Sequence, residues 1–502
     1  MQALTGGSLP ELGGVAASGA DHGRSVEVPG YDRSAVTVGI VHFGVGGFHR
    51  AHQAMYVDAL MNAGEAMDWG ICGVGVLPGD RRMQQALTDQ DGLYTLVVKE
   101  PDGSLHPRVI GSIVEYLFAP DSPEAVIEKM AAGSTRIVSL TVTEGGYTID
   151  QVTGEFDAND PGVQADLRPG AEPATVFGLV TEALRRRRER GLPGFTIMSC
   201  DNIQGNGDTA ARTFSAFARL EDADLATWVE QNVGFPNSMV DRITPATSAE
   251  DTQRLADEFG LRDAWPVVCE PFTQWVLEDR FTAGRPPFED AGVQLVDDVV
   301  PYELMKLRLL NASHQALGYF GFLAGYGYVH EVAADPLFAR FLRDYMDREG
   351  TPTLSEVPGV DLNAYKTTLI ERFANPGIAD TLARINFGSS DRISLWVLPV
   401  IRHQLAHGGE MERATAVVAS WARYSEGVDE KGAEIDVQDR LADTLVPLAR
   451  SQRENPEAFI RNTAVFGDLA DDERFRDVYL WALDSLHRHG ARATVEAIVA
   501  RG

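Results

Sequence analysis

The chain has 502 residues, 44% of them hydrophobic and 23% charged, and its 73 acidic against 44 basic side chains leave a formal net charge of −29. A field of that sign repels nucleic-acid phosphates and anionic lipid, which excludes both as leading partners. Three widely separated cysteines, Cys72, Cys200 and Cys269, exclude a disulfide framework and a structural zinc site, so no metal is expected and a reducing cytoplasm fits.

Residues 1–24 are small and polar, carry Glu11 and lack the basic start of a signal peptide, which predicts a flexible tail. AVTVGIVHF (35–43) is a β-branched run ending at glycine, and RAHQAMYVDALMNAG (50–64) has helical spacing. WGICGVGVL (69–77) and DRRMQQALTDQ (80–90) repeat that order, and TRIVSLTVTE (135–144) and FTIMSCDN (195–202) are further buried-strand candidates beside helical stretches near 122–132 and 174–190. Such alternation predicts an α/β domain with a parallel sheet. The basic run RRRRER (185–190) reads as a solvated helix end. No window approaches 18 uninterrupted apolar residues, so no membrane span is expected.

Beyond about residue 297 the periodicity turns helical, with PFEDAGVQLVDDVVPYE (287–303) as the joint. The expected division is a tail at 1–24, a sheet domain at 25–296 and a mostly α-helical domain at 297–502. Length agrees, since one hydrophobic core rarely serves a chain of this size.

Gly44, Gly46, Gly47 and Phe48 lie in the turn between the first strand and first helix, where a dinucleotide pyrophosphate meets a helix N-terminus. The third glycine of GxGxxG is replaced by His49, and a tight structural turn is the rival reading. Asp80, beyond the second strand, is placed to accept from an adenosine ribose, favouring NAD, or to cap the next helix; Arg81 and Arg82 beside it suit a 2′-phosphate.

KLRLLNASHQALGYFGFLAGYG (306–327) opens on a lysine and continues as an apolar helix. At about 100° per residue, Glu303, Lys306, Asn311 and His314 share an arc of about 140°, spread over about 16 Å of axis. A lysine on that dry face is expected to lose its charge readily and to act as a base, with Asn311 donating to an alkoxide and His314 holding the same hydroxyl or orienting the lysine. The rival reading has Lys306 snorkelling to water, Asn311 facing solvent and His314 a satisfied core histidine.

Together GVGGFHRAHQ (44–53), TVTEGGY (141–147), SCDNIQGNG (199–207), MVDRITP (239–245) and KLRLLNASH (306–314) resemble the motifs of the polyol-specific long-chain dehydrogenases, in family order and across most of the chain. The resemblance implies a zinc-free, NAD-dependent monomer with a Rossmann-type domain, a helical domain and a site between them. It implies reversible oxidation of D-mannitol to D-fructose, with D-arabinitol or fructuronate-type substrates and a non-catalytic NAD/sugar-binding protein as alternatives. It places the catalytic base on Lys306, oxyanion-binding amides on Asn202 and Asn311, a substrate-hydroxyl contact on His314 and proton exchange with solvent on Glu303. Asp241 and Arg384 fall on binders of distal hydroxyls, and Glu144 lies in a matching motif that would equally suit a buried structural acid. Where the family commonly has lysine, GSSDRIS puts Arg392, a better grip for a carboxylate. Tyr302 and Lys306 also make the YxxxK pair of short-chain dehydrogenases, discounted because the TGxxxGxG turn of that family is missing.

Overall fold

The computed structural model describes residues 2–14, 26–150 and 154–501. The chain forms two compact units, Met1–Val299 and Val300–Gly502, so the division falls inside the 287–303 stretch, three residues beyond the 296/297 boundary.

The first unit is built on five parallel strands: β1 (Val38–Phe43), β2 (Gly70–Gly75), β3 (Ile113–Phe118), β4 (Ile137–Leu140) and β5 (Thr196–Ser199), in the order β3-β2-β1-β4-β5. Val41 pairs with Cys72 on one side and Val138 on the other, and Val138 pairs with Ile197. Alternate residues feed two cores. Phe43, Val74, Leu140 and Ile197 pack with Leu179 and Phe214 on one face, and Ile40, Ile71, Ile137 and Met198 pack with Leu60, Leu87 and Trp275 on the other. A sheet covered on both faces needs strands that are apolar throughout, which is why these runs carry little alternation. The strand order reverses beside β1, and in open α/β sheets the ligand crevice lies at the carboxyl ends of the strands flanking such a reversal.

Two small three-stranded sheets flank this frame. One joins Tyr94–Lys99, Leu105–Ile110 and Val267–Cys269; the other joins Ser238–Asp241, Gln274–Glu278 and Gln294–Val296. Neither was expected, nor was β3.

Two expectations are corrected here. Within the predicted loose tail, Gln2–Ala3 pairs with Leu261–Arg262, and Leu4 and Leu12 are buried with Leu93, Val97 and Leu255; residues 15–24 lie outside the described residues. The basic run is not uniformly solvated. Arg187 is 1% exposed and donates to the carbonyls of Met130, Ala132, Thr135 and Pro193, replacing the water a guanidinium needs.

The second unit is helical, with no strand element among the described residues. Its central helix, Glu412–Tyr424, is buried from Arg413 to its end. Three stretches are π-helical: Lys306–Asn311, Met346–Gly350 and Ile393–Val397, and the first packs against the other two.

Candidate active site

Gly44 closes β1 at φ +89°, and a Cβ there would lie 2.1 Å from the Thr141 carbonyl oxygen beyond β4, so only glycine fits. The Gly46 amide then donates to the Gly44 carbonyl at 2.7 Å and the chain enters the helix Gly47–Ala51. A Cβ on Gly46 would meet nothing nearer than 3.8 Å, because that side of the turn opens on a cavity of about 600 Å³. Gly46, Gly47, Arg50, Asp80, Arg82 and Trp265 line it. The donor set suits an anionic dinucleotide: exposed backbone at a glycine turn, and an Arg50 guanidinium held against the Gly46 and Trp265 carbonyls. Sequence reasoning did not single out Arg50 or Trp265. RAHQ alone gives no sign that the arginine turns toward the turn, and Trp265 arrives from more than 200 residues away.

His49 fills the place of the missing glycine. Its ring stacks on His42 of β1, centroids 3.4 Å apart and planes within 13°, so helix and strand are spaced by an aromatic pair. Phe48 is half-buried, its ring 4.9 Å from that of His52.

Asp80 lines the cavity, with Oδ2 accepting the Val76 and Leu77 amides at 2.9 Å each. It occupies the N-cap position of Arg81–Asp89 but makes no side-chain bond to that helix, so the capping alternative fails in its usual form. Arg81 is drawn away to Asp121 by two hydrogen bonds of 2.5 and 2.6 Å, while Arg82 lies over the Trp265 ring at 4.2 Å.

Beyond β5, Asp201 accepts the Val142 and Thr143 amides and the Tyr147 hydroxyl; burial raises its pKa. Asn206 donates to the Asp201 and Ser238 carbonyls and accepts the Ser238 amide. It therefore ties the turn carrying exposed Asn202 to the strand that ends in buried Asp241. Glu144 is exposed in a short 3₁₀ turn, against its alternative reading as a buried structural acid.

In the second unit Glu303, Lys306 and Asn311 are buried and His314 is half-buried against Phe373, ring centroids 4.6 Å apart. Lys306 is 8% exposed, so it is not a surface side chain. The angular estimate changes as well. An α-helix would set Lys306 and Asn311 about 140° apart, at the two ends of the arc, whereas a π turn closes over five residues and brings them near one side. The Tyr302 hydroxyl is spent on the Pro358 carbonyl at 2.7 Å.

Arg384 is exposed and paired with Asp380, and the half-buried Arg392 donates to the Ile385 carbonyl at 2.7 Å. No group of three or more metal-ligating side chains occurs among the described residues.

Residues 38–290 match the mannitol dehydrogenase Rossmann domain and residues 298–486 the mannitol dehydrogenase C-terminal domain. The chain belongs to the mannitol dehydrogenase family. Among family members, a mannitol 2-dehydrogenase of Phaeosphaeria nodorum is 49% identical over 94% of this chain and 83% of its own length. One of Pyricularia oryzae is 47% identical over 96% and 97%. The Pseudomonas fluorescens mannitol 2-dehydrogenase, solved as a ternary complex with NAD and D-mannitol, superposes with a TM-score of 0.88 at 45% identity, covering 100% of both chains. A substrate-free D-sorbitol dehydrogenase gives 0.87 at 39% identity over 94% of this chain and 97% of its own.

Proposed function

We propose that this chain is an NAD-dependent polyol dehydrogenase that interconverts D-mannitol and D-fructose. The observation that carries the reading is the full-length likeness, at 45% identity, to a structure holding NAD and D-mannitol together. The glycine turn and Arg50 would hold the pyrophosphate, and Asp80 the adenosine ribose. Bound NAD would supply the hydride acceptor.

In this reading, neutral Lys306 takes the proton of the reacting hydroxyl. Asn311 donates to the developing alkoxide, and Asn202 is the second amide; each contributes about 3 kcal/mol if as well placed as an oxyanion-hole donor. His314 orients the hydroxyl, and Glu303 returns the proton from Lys306 to solvent. Asp241 and Arg384 bind the distal hydroxyls, and Arg392, a planar bidentate cation, would suit a carboxylate-bearing substrate better. We place the enzyme in the cytoplasm as a monomer, which its three free, buried cysteines and its charge support. No helix among the described residues is long and apolar enough to cross a membrane.

Lys306→Ala should lower kcat for oxidation by at least about 100-fold, the usual scale of a lost general base, while NADH still binds. In the parent, oxidation should accelerate as pH rises and the amine sheds its proton, and ketose reduction should slow. Near-parental kcat in Lys306→Ala would remove the lysine from the mechanism. Values of kcat/KM for mannitol, arabinitol, sorbitol and fructuronate with NAD and NADP fix substrate and cofactor, and NADH binding with no turnover of any of them would mark a non-catalytic binder.

A further inference from the structure

We propose that Tyr345 is a positioning residue for the lysine–asparagine pair, acting through the backbone of the π turn. Lys306–Asn311 is held in π register, in which the Ala312 amide donates to the Leu307 carbonyl, five residues back. In an α-helix that amide would serve Arg308, so the register takes from the Arg308 carbonyl its ordinary donor. The Tyr345 hydroxyl, on a side chain 1% exposed, donates to that same carbonyl at 3.0 Å.

The rest of the Tyr345–Thr353 segment grips the same point. A Cβ on Gly350 would lie 3.0 Å from Leu309 Cδ2 and 3.3 Å from the Arg308 oxygen, so the glycine permits the close approach. The Arg308 guanidinium in turn donates to the Thr353 carbonyl. Tyr345 ends the helix Pro336–Tyr345. Without its hydroxyl, the Arg308 carbonyl regains a partner most simply by recapturing the Ala312 amide. That shift toward α register swings Asn311 away from Lys306.

The inference rests on the proposed role of Lys306. Tyr345→Phe should lower kcat about 10- to 100-fold, the scale of an ångström-level misplacement, with KM for NAD unchanged and the acid limb of the oxidation pH profile displaced. Tyr302→Phe is the matched control, because it removes a buried hydroxyl from a carbonyl outside the π turn, that of Pro358. It should lower the melting temperature without displacing the profile. A parental kcat and profile in Tyr345→Phe overturn the inference. So does an equal displacement in Tyr302→Phe, or a loss in Tyr345→Phe that only tracks a lower melting temperature. Lys306→Ala separates the two failures: if it keeps turnover, the functional reading falls, and if it is inactive while Tyr345→Phe is parental, only the positioning role falls.

Discussion

His49 stands where a dinucleotide fingerprint would carry its third glycine, and the substitution has a pH consequence. His42 Nδ1 lies 2.8 Å from Ser139 Oγ and Nε2 3.0 Å from Thr141 Oγ1. Burial takes the His42 pKa down to about 3, and burial together with the neighbouring His42 takes that of His49 well below the ordinary value. Both rings are therefore neutral in the native state, whereas in the unfolded chain each titrates near 6.5. Between pH 6.5 and about 3 the unfolded state binds protons that the native state refuses, so stability falls as pH falls through that window. The slope approaches about 1.4 kcal/mol per pH unit for each histidine. His49→Phe keeps the stacked ring and removes one titration. Its unfolding free energy, from denaturant titrations at pH 7.5 and 5.5, should drop by about 1 kcal/mol less than the parent's; equal drops would show that His49 titrates normally.

At the scale of single elements, the glycine turn gives a paired test. Gly44→Ala forces a side chain into φ +89° and against the Thr141 carbonyl, and should cost more than about 2 kcal/mol of stability. Gly46→Ala meets open space, so the melting temperature should hold while KM for NAD rises about tenfold or more, its methyl entering the cavity where the pyrophosphate would lie. If Gly46→Ala leaves KM for NAD alone, this cavity is not the cofactor's. The turn was legible because strand, glycines and helix are contiguous. Strands β1, β2, β4 and β5 were legible because sheets buried on both faces write unbroken apolar runs. β3 was not: it is the sheet's edge, and Val114 to Leu117 are only half-buried. That Glu303, Lys306 and Asn311 lie on a dry face was legible, but the register that spaces them was not. Two of the π segments, Met346–Gly350 and Ile393–Val397, run just ahead of Pro352 and Pro399, which cannot donate in α register, so they leave a trace in the sequence. Lys306–Asn311 has no such marker. What holds it in register arrives from Tyr345, a contact between distant segments that periodicity does not record.

At the scale of the whole chain, alternation of strand and helix gives way to pure helical periodicity, and the two compact units, which divide between Val299 and Val300, each build their own kind of core. The N-terminal segment shows where composition misleads. MQALTGGSLPELGG offers only three leucines among small and polar residues, too few to mark an element, yet Leu4 is 1% and Leu12 6% exposed. The partners that bury them, among them Leu93, Val97, Val109 and Leu255, lie some 80 to 250 residues further along, so no local pattern reveals the docking. Backbone bonds fix the register: the Leu4 amide donates to the Arg262 carbonyl at 3.1 Å and the Gly6 amide to Asp91 Oδ2 at 3.0 Å. Burying two leucine side chains stabilises the fold by about 3–6 kcal/mol before the entropy of ordering the segment is subtracted. Deleting residues 2–14 should therefore destabilise the first unit by several kcal/mol, read as an earlier first transition in a denaturant titration. A loose tail would move that transition by less than about 0.5 kcal/mol, and such a result would mean that the two leucines do not dock in solution.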